Sequence, residues 1–189
     1  MKLVSSCLIV LCACHMVVTL PAWGTQVQYM SVEQLGDNSA AVVRGTVAEV
    51  RSFWNDNHTK IFTATIIAVD ESYKGHPGGM VEVIQIGGTV DNVQVTAHGA
   101  LHWTTGEEVV LFLEAATEGR YQVAGFSQGK FNIERDPDTG AAYIRRPALE
   151  GAQMVGAPGG SDAVGKLDRI ALEKFLREAL GEGDRDLRE

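Results

Sequence analysis

The chain has 189 residues, of which 45% are hydrophobic and 21% charged, a balance that argues against intrinsic disorder and against a multi-spanning membrane protein. Its formal charge of −8 opposes nucleic acid as a partner, because affinity for a phosphate backbone comes from basic groups that displace condensed counterions. The same acidity keeps a protein soluble without implying any particular ligand.

Residues 1–24 have the make-up of a secretory signal peptide. Lys2 precedes an apolar run from Leu3 to Leu20, and Pro21-Ala22-Trp23-Gly24 follows, with Ala22 and Gly24 as the small residues a leader peptidase accepts. Cleavage after Gly24 predicts Thr25 as the new N-terminus and a secreted or periplasmic location. A transmembrane span is the weaker reading, since the apolar run is interrupted by His15 and is followed by the small-x-small pattern. A third reading is set by Leu11-Cys12-Ala13-Cys14, which has the form of a lipobox; acylation at Cys14 would anchor the protein to the cell envelope, and only then would it sit on a membrane. The apolar residues Met16 to Leu20 oppose it, because lipoproteins usually turn polar just past the modified cysteine.

Cys7, Cys12 and Cys14 are the only cysteines, so cleavage at Gly24 leaves none. A mature chain of about 165 residues is long enough to hold one domain by its packed core without disulfides. Thiol catalysis and cysteine-ligated zinc are excluded with them. Loss of Lys2 with the leader takes the formal charge from −8 to −9.

In chain order, Ser31-Val32-Glu33-Gln34 has the form of a capping box and predicts a short helix from about Val32 to Leu35 or slightly beyond, ended by Gly36, Asp37 and Asn38. Ala41 to Phe53 alternates as a strand, with Val43, Gly45 and Val47 on one face and Arg44 and Thr46 on the other; the phase slips near Ala48 and Glu49, which predicts a bulge. Asn55-Asp56-Asn57 is a turn, so Ile61 to Tyr73 pairs with the first strand as a long hairpin. Met80 to Ile86 is a third strand, closed by Gly87-Gly88, after which the pattern dissolves from Thr89 to Gly106. Glu108 to Leu113, Tyr121 to Phe126, Lys130 to Ile133 and Ala142 to Arg145 follow as strands, the last pair joined by Asp136-Pro137-Asp138-Thr139-Gly140. The fold class is mainly β, a closed Greek-key barrel of five to seven strands over residues 25–146. Residues 147–165 read as a flexible Gly/Ala/Pro linker, 166–181 as an amphipathic helix with Leu172, Phe175, Leu176, Ala179 and Leu180 on one stripe, and 182–189 as a disordered tail.

Over residues 40–133, the succession Ala41-Val42-Val43-x-Gly45-x-Val47, Tyr73-Lys74-Gly75, Gly106-Glu107-Glu108-Val109-Val110-Leu111-Phe112-Leu113 and Gly125-x-x-Gln128-Gly129-Lys130-Phe131 resembles a group of uncharacterised exported bacterial proteins. More distantly it is similar to the netrin-like domains of tissue inhibitors of metalloproteinases. That resemblance implies an OB-like barrel of five strands with flanking helices, and a rim and N-terminal segment that dock on a partner. Those inhibitors approach the protease zinc with an N-terminal cysteine, whereas this mature chain would begin Thr25-Gln26-Val27. The resemblance therefore implies the fold but not that inhibitory device.

Residues with chemical potential are few. His98 and His102 have the spacing of a helical metal pair, but Gly99 and the surrounding loop pattern oppose a helix; with His76 and Asp91 they are candidate zinc ligands only if loops converge. No Gly-x-Ser-x-Gly elbow or phosphate loop is present. Asn57-His58-Thr59 fits a glycosylation sequon and reads as a hairpin tip. Trp54, His102 and Trp103 are the candidate partner-binding residues, since aromatics at loops and strand ends anchor contacts as well as cap barrels. The loop from Thr89 to Thr105 is the expected functional surface.

The function expected from these residues is a non-enzymatic exported binding module, without cofactor, that recognises an extracytoplasmic protein partner, a protease among the candidates. The alternatives are a metal-dependent enzyme using His76, His98 and His102, and a lipid-anchored structural protein of the envelope.

Overall fold

The computed structural model of the protein describes residues 25–147, 151–157 and 170–180. The leader with its cysteines, the tail 182–189, positions 148–150 and 158–165 of the expected linker and positions 166–169 and 181 of the expected helix lie outside the described residues.

Among the described residues the chain forms β1 (Thr25–Gln28), α1 (Val32–Asn38), β2 (Ala41–Trp54), β3 (Ile61–Lys74), β4 (Met80–Ile86), β5 (Gly88–Val90), β6 (Val93–Val95), β7 (Glu108–Ala115), β8 (Tyr121–Val123), β9 (Lys130–Arg135), β10 (Ala142–Arg145), β11 (Ala152–Val155), β12 (Ile170–Ala171) and α2 (Leu172–Leu180). Strands β2, β3, β4, β8 and β7 close on themselves, because β7 pairs with both β2 and β8 and β8 meets β4. Numbered along the chain, these five barrel strands follow the order first, second, third, fifth, fourth and back to first, which is an OB-like Greek-key barrel. Within the barrel only the contact of β4 with β8 is parallel; it consists of the single pair Val83 and Tyr121.

The long β2–β3 hairpin slips register between Val47 and Glu49, as the break in alternation predicts, and twice more between Val42 and Gly45. Bulges of this kind raise the local twist and let a long strand curl around a narrow barrel. Gly45 sits inside that curl, where a Cβ would fall on the Ala68 carbonyl oxygen. The first strand therefore needs glycine for a close backbone approach.

Two apolar cores share one sheet. Val43, Val47, Ile67, Val81, Val83, Val109, Leu111 and Leu113 fill the barrel, and Leu101 and Trp103 enter it from the loop before β7. Val42, Val110, Phe112 and Phe131 point the other way, onto α1 and α2. There Phe112, Phe131 and Phe175 pack as a trio, with Phe131 and Phe175 centroids 4.6 Å apart. The stripe expected on the C-terminal helix is thus spent within the fold: Leu172, Phe175 and Ala179 are buried and Leu176 and Leu180 half-buried against the same core.

The structure differs from the sequence reading at several places, among them the start of the C-terminal helix: Ile170–Ala171 pairs with β10 as strand β12, so helix α2 begins only at Leu172. Helix α1 has its capping box, Ser31 Oγ accepting from the Gln34 N–H and Gln34 Oε1 from the Ser31 N–H, but it continues through Gly36, Asp37 and Asn38 instead of ending there. Lys74 explains the extension, since its ammonium donates to the Gly36 and Asp37 carbonyls at 2.7 and 3.2 Å and supplies the cation favoured at a helix C-terminus. The segment after Gly87 forms a small β5–β6 hairpin. Within the expected linker, Ala152–Val155 is a strand paired in parallel with β1. The segment expected to run as a strand from Tyr121 to Phe126 stops at Val123.

Gly36 is where the two helices touch, because a Cβ there would overlap the Ala179 carbonyl oxygen on α2. Gly36→Ala should cost about 1–3 kcal/mol, the usual penalty of overpacking. The check is a lowered urea midpoint with an unchanged slope; an unchanged midpoint would show that α2 yields freely.

Candidate functional site

Strand β7 uses one edge for two partners. Leu113, Glu114 and Ala115 pair with β8, while Val109, Val110 and Leu111 pair with β9, and both partners run antiparallel to it. β8 and β9 are therefore one line of strand, interrupted opposite Phe112 by residues 124–129. The neck of this excursion is closed by main-chain bonds: Ala124 N–H donates to the Phe112 carbonyl, Phe112 N–H to the Gly129 carbonyl, and Gly129 N–H to the Ala124 carbonyl at 3.0 Å. Gly129 leaves room there, since a Cβ would lie 2.9 Å from the Phe112 oxygen.

The excursion turns through Gly125, Phe126 and Ser127 with φ of 63°, 54° and 82°. The left-handed region suits glycine and strains Phe126 and Ser127, each at a cost of about 1–3 kcal/mol that the surroundings must offset. Several bonds hold it. Gly125 N–H donates to Glu114 Oε1, and Ser127 Oγ donates to the Gly99 carbonyl. Gln128, fully buried, accepts from the Met30 N–H at 2.9 Å and donates to the Gln28 and Gly125 carbonyls at 2.8 and 2.9 Å. One amide thus ties the excursion to the N-terminal segment. The result is that Phe126 stays 49% exposed.

Beside Phe126 lies a cleft of about 230 Å³ between the end of β4, the loop 97–101 and the excursion. It is smaller than the roughly 300–1,000 Å³ typical of sites for whole small molecules. Ile84, Ile86, Val123 and Phe126 line it with His98, Glu114 and Gln122. Both oxygens of Glu114 are engaged, one by Gly125 N–H and the other by Gln122 Nε2 at 3.0 Å.

One wall of the cleft is a strand edge. Gly79 accepts from Val69 and Gly87 donates to Ile61, so by the alternation of an antiparallel ladder the odd-numbered residues of β4 bond to β3. The main-chain groups of Ile84 and Ile86 face the other way; the parallel pair centred on Val83 is made through the Ile84 N–H, so the uncovered edge runs from the Ile84 carbonyl to Ile86. β8 lies alongside only at Val83, and no strand among the described residues accompanies β4 beyond it. Ile86 is 45% exposed at that edge.

The loop 97–107 is fastened to the barrel by two polar side chains, the half-buried Gln85 and the buried Lys130. Gln85 accepts from the Leu101 N–H and the Trp103 indole N–H, both at 3.2 Å, and donates to the Leu101 carbonyl. Lys130 has a side chain only 1% exposed, paired with Glu107 at 2.8 Å, donating to the His102 carbonyl at 2.7 Å and lying 4.6 Å from the Trp103 ring centre. Burial pushes the Lys130 ammonium below the ordinary lysine range, and Glu107 opposes that shift.

The candidate residues read from the sequence are thus distributed as follows. Trp103 is buried in the barrel and acts as its plug, while Trp54 is half-buried at the hairpin tip, stacked on His58 at 6.0 Å. His76, His98 and His102 are exposed; His76 lies in the turn before β4, His98 lines the cleft, and His102 contributes its carbonyl to Lys130. Among the described residues no three His, Cys, Asp or Glu side chains form a group able to hold a metal ion. Asp91 lies exposed in the β5–β6 turn. The expected loop does contribute to the cleft, through residues 97–101. Ile86, Phe126 and Ser127 were not singled out from the sequence; the signal was Gly125 and Gly129 bracketing a break in a strand pattern, where glycine marks a bulge or close approach.

Neither any model of a known protein family nor any curated protein matches the chain.

Removing the Lys130 cation leaves Glu107 and the His102 carbonyl without their partner. Lys130→Met should cost about 3–5 kcal/mol, and adding Glu107→Leu should recover much of it, because the loss of one member of a buried pair is worse than the loss of both. Denaturant melts of the two variants check this; equal destabilisation of single and double variants would contradict the pairing.

Proposed function

We propose that the protein is an exported, netrin-like binding module that recognises an extended segment of an extracytoplasmic protein, a protease being one candidate class. The observation that carries this reading is the open edge of β4 beside two exposed apolar side chains, Ile86 and Phe126. A free strand edge offers main-chain donors and acceptors that another polypeptide can pair with, and alternate side chains of that polypeptide then meet the apolar wall. Support also comes from the strained turn at Phe126 and Ser127, since backbone held in a sparsely populated region clusters at binding sites. Glu114 is occupied in holding the cleft wall, which favours recognition over acid–base chemistry at this place.

The similarity to netrin-like inhibitors enters here only as strand order. Docking through the β4 edge does not require the N-terminal cysteine that the mature chain lacks. Export through residues 1–24 would put the cleft where envelope or secreted proteins are met.

Phe126→Asn tests the reading, because asparagine tolerates left-handed backbone better than phenylalanine and removes the exposed ring. A photo-crosslinker in place of Ile86 in the secreted protein identifies the partner. Purified partner should then bind Phe126→Asn at least about tenfold more weakly, roughly 1.4 kcal/mol, while the variant melts at the same or a higher temperature. Unchanged affinity in Phe126→Asn, or no crosslink from position 86, would overturn the reading.

A further inference from the structure

Strand β7 carries two carboxylates, and the chain neutralises only one of them. Glu108 is matched by Arg44 at 3.5 Å and by Arg135 at 2.8 Å. Glu114, at the other end of the strand, accepts from two neutral donors, Gln122 Nε2 and the Gly125 N–H, and no lysine, arginine or histidine among the described residues pairs with it. The arginines of adjoining segments are already taken, Arg120 by Glu118 and Arg51 by Glu82 at 2.9 Å. A carboxylate offers about four lone-pair sites, so two N–H donors orient Glu114 without filling it and without cancelling its charge.

That carboxylate lines the cleft beside β4. Val109, Leu111 and Leu113 turn into the barrel, so by alternation Glu114 lies on the outward face, with Gln122 opposite it on β8. Ile84 and Ile86 face outward too, since Val81 and Val83 are the buried members of β4. Phe126 follows Gly125, whose N–H holds Glu114, so the exposed ring and the carboxylate are neighbours. Of the lining residues only Glu114 and His98 titrate, and Glu114 supplies the one negative charge among apolar walls.

The side chains that match such a cleft are lysine and arginine. Their methylene stems lie along apolar surface while the charged head seeks a carboxylate, and a cation is also drawn to an aromatic ring. A segment extended along a strand edge presents every second side chain to the outward face, where these groups lie. An acidic residue there would meet like charge, and an apolar one would strip water from Glu114 without replacing it. The formal charge of −8 favours the approach of a basic segment at long range as well. We propose, resting on the docking at the β4 edge argued above, that the segment taken up there is basic, with a lysine or arginine side chain laid between Ile86 and Phe126 and its cation on Glu114.

Blocked peptides of sequence Thr-Val-Xaa-Val-Thr, with arginine, lysine, glutamine or glutamate as Xaa, test this when titrated into the isotope-labelled secreted chain and followed by the amide signals of Ile84, Ile86 and Phe126. The arginine and lysine peptides should bind at least about threefold more tightly than the glutamine peptide and about tenfold more tightly than the glutamate peptide. Raising sodium chloride from about 0.02 to about 0.3 M should close the gap between arginine and glutamine. Glu114→Gln keeps the shape and should bind the arginine and glutamine peptides alike; if that variant does not fold, the wild-type ranking and its salt dependence decide. Equal binding of all four peptides at these amides, or a preference for arginine that survives in folded Glu114→Gln, overturns the basic preference and leaves docking at the edge standing. If no peptide moves these signals, both fall.

Discussion

Strand β7 is buried on both faces from Val109 to Leu113, and the rest of the molecule is arranged around that fact. Val109, Leu111 and Leu113 fill the barrel, while Val110 and Phe112 face the helices. Its edges are equally occupied, by β2 on one side and by β8 and β9 in succession on the other. A strand so enclosed has to bury nearly all its side chains, which makes the run Val109-Val110-Leu111-Phe112-Leu113 apolar throughout instead of alternating. The barrel and the helical layer are thereby one cooperative unit, coupled through the two sides of one strand.

The excursion at 124–129 follows from the same arrangement. Two partners share one edge of β7, and the segment between them has to leave the sheet opposite Phe112 and return. Its strained turn is held from three directions, by Glu114, by Gly99 and through Gln128 by the N-terminal segment. That over-determination is what keeps an apolar ring such as Phe126 in solvent beside a free strand edge. The cleft is then a consequence of barrel closure by a single residue pair between β4 and β8, which leaves the end of β4 uncovered.

The two buried cations show how differently the same cost can be met. Lys130 has an internal carboxylate and fastens the loop that carries Trp103; this is a structural use of charge. Arg146 lies between the Phe131 and Tyr29 rings, where burial disfavours its charge and the Tyr29 side chain favours it.

Much of the architecture was legible in residue order. Alternation in β2, the capping box of α1, the Asn55 turn and the apolar stripe of α2 are local patterns whose periods or donor–acceptor spacings are set by neighbours in the chain. Gly45, Lys74, Gly75, Gln128, Gly129 and Lys130, quoted from the sequence as a family-like pattern, turn out to be parts of barrel construction: close approaches, a helix cap and two buried staples. The site was less legible, because none of its determinants is local. Whether Trp103 anchors a partner or plugs the barrel depends on Lys130 and Gln85, remote in sequence. Glycine-rich residues 147–157 look like a linker until β1 supplies a partner for Ala152–Val155. Local period, turn chemistry and capping thus settle from sequence that the chain is a β barrel with two packed helices. Which strand edge stays open, which aromatic stays in solvent and which buried cation meets a carboxylate are decided by long-range pairing alone, since each depends on groups that only the closed fold brings together.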